Sequence, residues 1–292
     1  MNNYVICIDA SIDLDQQYID ENGVIIIPMK YVLGDKEMLM KNRLSDAELK
    51  AFYDAMRRGE ATHTSQITPY FYQQVFGREA EKGHDILYLS LSGGLSSTYS
   101  SALTAAEEIE EEFEGVKIEV VDTLAATGGM GLLLMMAVQA RENGVSLADN
   151  ASSLRAAAGK VCHWFLVDDL KYLYRGGRIS AATAVAGTVL SIKPILKIAD
   201  DGSLISIAKK RGLSKASAFL TDCFKGAFDP DLPHEVIIAH ADCEKEAREA
   251  KNRILSFCPD ANVQICGLGP VIGAHTGPGM LAVIHWGNRD YI

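Results

Sequence analysis

In the first half of the chain, apolar positions fall into short runs separated by polar turns and amphipathic stretches. Tyr4–Ile8 and Val24–Ile27 are continuous apolar runs of strand length, and Ile86–Leu91 and Ile118–Val121 repeat the pattern. Ser45-Asp46-Ala47-Glu48 is a capping box, in which the Ser oxygen and the Glu side chain satisfy free backbone N–H groups. The helix it opens puts Leu49, Phe52, Tyr53 and Met56 on one face and stops at Gly59. Thr68-Pro69 is a second helix start, with Thr as the cap and Pro in the first turn. A third helix begins near Thr98 and ends in the acidic run Glu107–Glu114, which reads as a solvated face. A Gly-rich segment after Val121 leads into a fourth, at about 128–142.

This strand-turn-helix alternation predicts an α/β fold with a mainly parallel sheet and helices on both faces. Ligands in such sheets sit at the carboxyl ends of the strands. The rhythm changes near residue 160. Val161–Val167, Leu204–Ala208, Val236–His240, Val263–Cys266 and Leu281–His285 read as strands, with a turn at Asp200–Ser203 and a helix at about 243–257. Ala181–Leu190 is an uncharged small-residue helical segment. The expectation is an N-terminal α/β domain over 1–160 and a C-terminal α+β domain over 161–292. The length of 292 residues also suits about two domains.

The net charge of −10 argues against nucleic acid as a partner, because phosphate binding is driven by basic surface. The N-terminus has no basic segment ahead of an apolar one, so no secretory signal is expected. The six cysteines form no Cys-x-x-Cys pair and read as reduced core thiols of a cytoplasmic protein. Residues 123–140 and 261–288 carry no Asp, Glu, Lys or Arg, but glycines and prolines break them, and neither reads as a membrane span.

Several chemistries lack their signature. There is no Gly-x-x-x-x-Gly-Lys-Ser/Thr loop, no properly spaced dinucleotide fingerprint and no Gly-x-Ser-x-Gly elbow. No ordered His/Asp/Glu cluster points to a metal, so neither metal nor cofactor is expected. What remains are polar, mostly uncharged loops at strand ends. Ser92-Gly93-Gly94-Leu95-Ser96-Ser97-Thr98 joins a strand to a helix, where Gly permits close approach and hydroxyls and helix N–H groups suit an anion; it equally suits an ordinary N-cap turn. Thr62-His63-Thr64-Ser65-Gln66 is a similar cluster read as a loop. Gly269–Gly279 sets His275 and Thr276 within a tight Gly/Pro loop. Two basic loops, Tyr174–Ile179 and Lys209–Gly212, stand out in an acidic chain.

Together these segments resemble the DegV family, the fatty-acid-binding subunits of bacterial fatty acid kinase. Ile8-Asp9-Ala10-Ser11 resembles the family's opening strand and turn. Thr64-Ser65-Gln66-x-x-Pro69, Leu95-Ser96-Ser97-Thr98-Tyr99 and Asp122-Thr123 through Gly131-Leu132-Leu133 follow in the family's order. Tyr172-Leu173 through Gly176-Gly177-Arg178-Ile179-Ser180, Ile192–Leu196, Lys209-x-Arg211-Gly212 and Gly269–Gly279 complete the match. Gly93 stands for a Ser and Ser97 for a Gly of the family pattern.

The resemblance implies one long-chain fatty acid in a tunnel between the two domains. It places the carboxylate at Thr64, Ser65, Ser92, Gly94, Ser96, Ser97, His275 and Thr276, with Arg178 and Arg211 near the mouth to meet a partner kinase or its phosphate. It implies a binding subunit, not an enzyme, whose ligand a fatty acid kinase subunit converts to acyl phosphate for phospholipid synthesis. The segments Gly128–Val138 and Ala181–Leu190 are candidates to line the tail. Two other readings stand beside it: a phosphotransfer enzyme acting on a small hydroxy-ketone, and a lipid transport or sensing module without a kinase.

Overall fold

The computed structural model describes residues 4–41, 43–185 and 191–292. In chain order its strands are β1 (Tyr4–Asp9), β2 (Ile25–Ile27), β3 (Met29–Leu33), β4 (Lys36–Met40), β5 (Thr62–Ser65), β6 (Asp85–Ser90), β7 (Ile118–Asp122), β8 (Val161–Leu166), β9 (Ile192–Ile198), β10 (Leu204–Arg211), β11 (Glu235–His240), β12 (Asn262–Gly267) and β13 (Leu281–Trp286). The helices are α1 (Gln16–Glu21), α2 (Asp46–Arg57), α3 (Pro69–Ala80), α4 (Thr98–Glu112), α5 (Gly128–Glu142), α6 (Leu147–Ala158), α7 (Lys171–Arg175), α8 (Ala181–Val185), α9 (Leu213–Ala227), α10 (Glu244–Phe257) and α11 (Pro270–Thr276).

The apolar runs of the first half form a parallel sheet in the order β2-β1-β6-β7. Its central strands are buried on both faces, as continuous apolar runs require. Helices α3 and α4 pack together beside it, and α5 and α6 form a second pair against it. The capping box at Ser45 is formed: its hydroxyl accepts the Glu48 N–H, and the Glu48 carboxylate accepts the Ser45 N–H. The Thr68 hydroxyl caps α3 by accepting the Phe71 N–H, with Pro69 in the first turn.

The second half builds a six-stranded mixed sheet, β10-β9-β8-β13-β11-β12, with α9 and α10 packed against it. Helix α5 touches strands of both this sheet and the parallel one. That contact is close because Gly128 and Gly129 meet Ile237 and His163 where a larger residue would clash.

Four sequence expectations need correction. The polar cluster Thr62–Gln66 is not a plain loop: Thr62–Ser65 is β5, in a third, antiparallel sheet ordered β4-β3-β5. Its side chains alternate, Thr62 and Thr64 half-buried, His63 and Ser65 exposed, so the strand period is present but carried by threonines. Lys209–Arg211 is the end of β10 rather than a loop. The Gly/Pro segment 269–279 encloses helix α11, started by Pro270 and ended by Gly277 at φ +76°. Strand β9 was not expected, because Lys193, Pro194 and Lys197 interrupt its apolar pattern.

No helix among the described residues is long and apolar enough to cross a membrane. All six cysteines are free thiols; five are buried and Cys243 is half-buried.

Candidate functional site

Helix α11, strand β5 and the segment after α7 meet at one place. The first link is Asp13, at φ +53° just beyond β1, whose carboxylate accepts the Gly269 N–H at 2.8 Å and so fixes the start of α11. The second is β5, where Thr62 Oγ1 donates to the Ala274 carbonyl at 3.2 Å. One strand period on, Thr64 Oγ1 lies 2.7 Å from His275 Nε2. The third is Gly176, whose absent side chain leaves room for the imidazole: a Cβ there would lie 2.1 Å from His275 Nδ1.

Burial holds the His275 imidazole neutral, lowering its pKa to about 4, and the Arg178 cation adds to the effect. A neutral ring has one donor and one acceptor nitrogen, and which is which is inferred from its partners. Nδ1 is buried with no hydrogen-bond partner among the described residues. Leaving an N–H there would cost more than leaving a lone pair, so the proton belongs on Nε2. Nε2–H then donates to Thr64 Oγ1, and the Thr64 hydroxyl proton is free to point elsewhere.

Thr64 also lines an apolar cavity. Met29, Leu91 and Leu95 of the first half and Phe165, Leu173, Ile198, Leu204, Val271 and Ile284 of the second are among its walls, so both halves of the chain and α11 contribute. Its polar lining includes Thr64, Ser65, Gln66, Ser96, Arg178, His275 and Thr276. Arg178 is the one lining residue with a formal charge among the described residues, since both lining histidines are held neutral. Its Nε donates to the Leu95 carbonyl at 3.0 Å and its Nη1 to the Gly176 carbonyl. An unbroken series of contacts therefore joins Thr64, His275, Gly176, Arg178, Leu95 and Ser96.

The other expected residues are placed as follows. Ser96 Oγ accepts the Thr98 N–H at 3.2 Å and donates to Thr98 Oγ1 at 2.8 Å, a bond that can be exchanged for a ligand oxygen. The Thr276 hydroxyl donates back to the Ile272 carbonyl at 3.3 Å. Ser92, Gly94, Ser97 and Arg211 do not line the cavity. Ser92 is fully buried and donates to the Gly202 carbonyl at 2.8 Å. Gly94 lies against the same hairpin, where a Cβ would come within 2.4 Å of the Gly202 carbonyl carbon. Ser97 is the exposed cap residue of α4 at φ −69°, an ordinary angle for serine. Arg211 is exposed at the end of β10.

No residue of Gly128–Val138 lines the cavity. Within Ala181–Leu190, residues 186–190 lie outside the described residues. The cavity wall also contains two residues outside the expected carboxylate set, Thr127 and His163. Thr127 takes φ +47°, a strained angle for a β-branched residue, and its hydroxyl is buried near the Asp13 carboxylate. His163 has its Nε2 3.2 Å from the Ala126 carbonyl and a pKa pushed down by burial to about 3. A strained angle is invisible in sequence, and a histidine inside an apolar strand carries no spacing signal.

A family model described as "Uncharacterised protein, DegV family" matches residues 3–286. The chain belongs to the DegV family. A DegV domain-containing protein of Clostridium perfringens is 36% identical over 288 residues, covering 99% of each chain. A DegV domain-containing protein of Streptomyces coelicolor is 31% identical over 278 residues, covering 94% of this chain and 95% of its own. Among solved structures, a DegV family protein of Thermus thermophilus, described by its fatty acid binding, superposes with a TM-score of 0.84 at 28% identity, over 98% of this chain and 99% of that one. DegV of Bacillus subtilis, described as a fatty acid binding protein, gives 0.82 at 25% identity, over 97% and 99%.

Proposed function

We propose that this chain binds one long-chain fatty acid, tail in the apolar cavity and carboxylate at Thr64, Ser96, Arg178 and His275. The single observation that carries the reading is the Thr64–His275 pair, 2.7 Å apart, at the polar side of an otherwise apolar cavity with one cationic side chain. One positive charge answers one carboxylate. Thr64 donates a proton that His275 has freed, and Ser96 donates by turning from Thr98. The fatty-acid-binding relatives of known structure support the ligand class.

Magnitudes divide the work. About fifteen methylenes at about 0.8 kcal/mol each give an upper limit near 12 kcal/mol before ordering costs. Each hydrogen bond to the charged head nets about 1.5–3 kcal/mol. The tail therefore supplies most of the affinity, and the head group fixes register. A small hydroxy-ketone would leave the walls at Phe165, Ile198 and Ile284 uncovered, which favours the lipid over that rival.

In this reading the protein is a cytoplasmic carrier that does no chemistry itself. It presents the carboxylate to a partner kinase, which makes the acyl phosphate for phospholipid synthesis. Arg211, exposed at the end of β10, is available to that partner. Native mass spectrometry of the purified chain tests the first step: a copurified or added long-chain acid is expected at one per chain. Absence of both overturns the ligand assignment. Incubation of the loaded protein with ATP and a bacterial fatty acid kinase subunit tests the second: acyl phosphate is expected, and lipid binding without it leaves a carrier with no kinase.

A further inference from the structure

On the far side of the six-stranded sheet, the segments leading into β11 and β12 bring three donors of different chemistry together. His234 precedes β11; Cys258 and Asp260 precede β12. His234 Nδ1 lies 2.7 Å from Asp260 Oδ2, Cys258 Sγ donates to Asp260 Oδ1 at 3.2 Å, and Sγ and Nδ1 are 4.0 Å apart. All three ligand atoms fall within 4.8 Å of one another. None of these residues lines the fatty acid cavity.

We propose that His234, Cys258 and Asp260 form a binding site for a divalent zinc-class cation. Sulfur, imidazole nitrogen and carboxylate oxygen are the ligand set of borderline-soft Zn²⁺, while Mg²⁺ and Ca²⁺ take oxygen alone. Bond lengths of about 2.0–2.3 Å in a tetrahedron separate such ligand atoms by about 3.4–3.6 Å. His234 Nδ1 and Asp260 Oδ2 must therefore move apart slightly, while His234 Nδ1 and Cys258 Sγ close. Moving away from His234 falls on Asp260, whose side chain is 69% exposed, and small side-chain rotations of His234 and Cys258 close their 4.0 Å gap.

The scaffold for the other two ligands is fixed. The Asn262 N–H donates to the His234 carbonyl at 3.0 Å, tying the two segments together. The Cys258 N–H closes α10 by donating to the Ile254 carbonyl at 2.8 Å, and its thiol is buried. The His234 ring packs against Phe228, with centroids 5.1 Å apart, which shields one side from water.

Proton balance is simple. Cys258 releases its thiol proton to solvent, and the neutral His234 ring carries its proton on Nε2 so that Nδ1 offers a lone pair. One thiolate and one carboxylate then neutralise the dication, and affinity rises with pH because a proton is displaced. Three protein ligands leave the fourth position open to water, on the exposed Asp260 side.

The test uses the full chain, stripped with chelator, and Zn²⁺ or Co²⁺ alone. One equivalent of Zn²⁺ is expected to survive gel filtration, and Co²⁺ is expected to give a thiolate-to-metal charge-transfer band in the near ultraviolet. Cys258→Ser should abolish the band, and Asp260→Asn, at an exposed position, should weaken Zn²⁺ binding at least tenfold. Cys243→Ser should change neither. Retained fatty acid binding in each variant reports that the fold is intact. Failure to retain Zn²⁺, or a cobalt band unchanged in Cys258→Ser, overturns the proposal.

Discussion

The Ser92 hydroxyl donates to the Gly202 carbonyl at 2.8 Å, and this bond fastens the 92–98 loop of the first half to the β9–β10 hairpin of the second. The bond is buried and lies outside the cavity lining. Ser92→Ala should therefore cost stability, about 1 kcal/mol for the lost bond or up to 3 with an unpaired carbonyl, and leave fatty acid affinity within twofold. Urea unfolding and displacement of a fluorescent fatty acid measure the two. A large affinity loss with unchanged stability would place Ser92 at the ligand instead. Gly94→Ala should be worse, because backbone lies where its Cβ must go.

Thr64→Val keeps the shape of the side chain and removes its hydroxyl. The ligand loses a charge-assisted bond worth about 1.5–3 kcal/mol, roughly ten- to a hundredfold in affinity. Loss of affinity for a fatty alcohol should be smaller than for the matching acid. Equal losses for both would mean that Thr64 shapes the wall without reading the carboxylate.

Arg178→Gln removes the one formal charge of the lining among the described residues and should lower acid affinity by at least tenfold at pH 8. It should also raise the His275 pKa above about 4, since the Arg178 cation contributes to lowering it. Burial, the larger cause, remains, so the value should stay below 6.5. Imidazole NMR titration reads this directly; an unmoved His275 resonance would separate the two residues electrostatically.

Stability should fall on mild acidification. Burial lowers His163 to about 3 and His275 and His285 to about 4. Unfolded, each titrates at 6.5, so their contribution is complete above that pH and is lost as pH falls through 6.5 toward 4. Burial raises Asp13 to about 7 and Asp9 in the same direction, so those two run the other way and lose their contribution as pH rises. Three imidazoles outnumber the two carboxyls, so unfolding takes up protons as pH falls below 6.5 and stability falls with it. Urea midpoints at pH 7 and 5 test this; a higher midpoint at pH 5 would mean that the carboxyls dominate.

Much of the fold was legible because local signals agreed with it. The Ser45 capping box, the Thr68-Pro69 start and the apolar runs at Tyr4 and Ile86 each specify their element without long-range information. Elements were missed where side-chain chemistry and backbone disagree. Strand β5 is polar because its inward threonines face α11 rather than a greasy core, and α11 is masked by the Gly and Pro residues that let it pack tightly. Of the residues the resemblance names, Thr64, Ser65, Ser96, Arg178, His275 and Thr276 line the cavity, while Ser92, Gly94, Ser97 and Arg211 do not. Ser92 and Ser96 look alike in sequence; burial alone makes one a latch and leaves the other on the cavity wall. The His234, Cys258 and Asp260 grouping was illegible, because strand pairing between β11 and β12 creates it.

The Thr64–His275 contact joins positions 211 apart in sequence, and the Asp13–Gly269 bond joins positions 256 apart. A nascent chain therefore cannot form these contacts until residue 275 has left the ribosome. A fatty acid held there as proposed would brace segments far apart in the chain, adding RT ln(1 + [L]/Kd) to the assembled state alone. Loading and folding would then be thermodynamically linked, and an empty molecule should breathe at this seam more than a filled one.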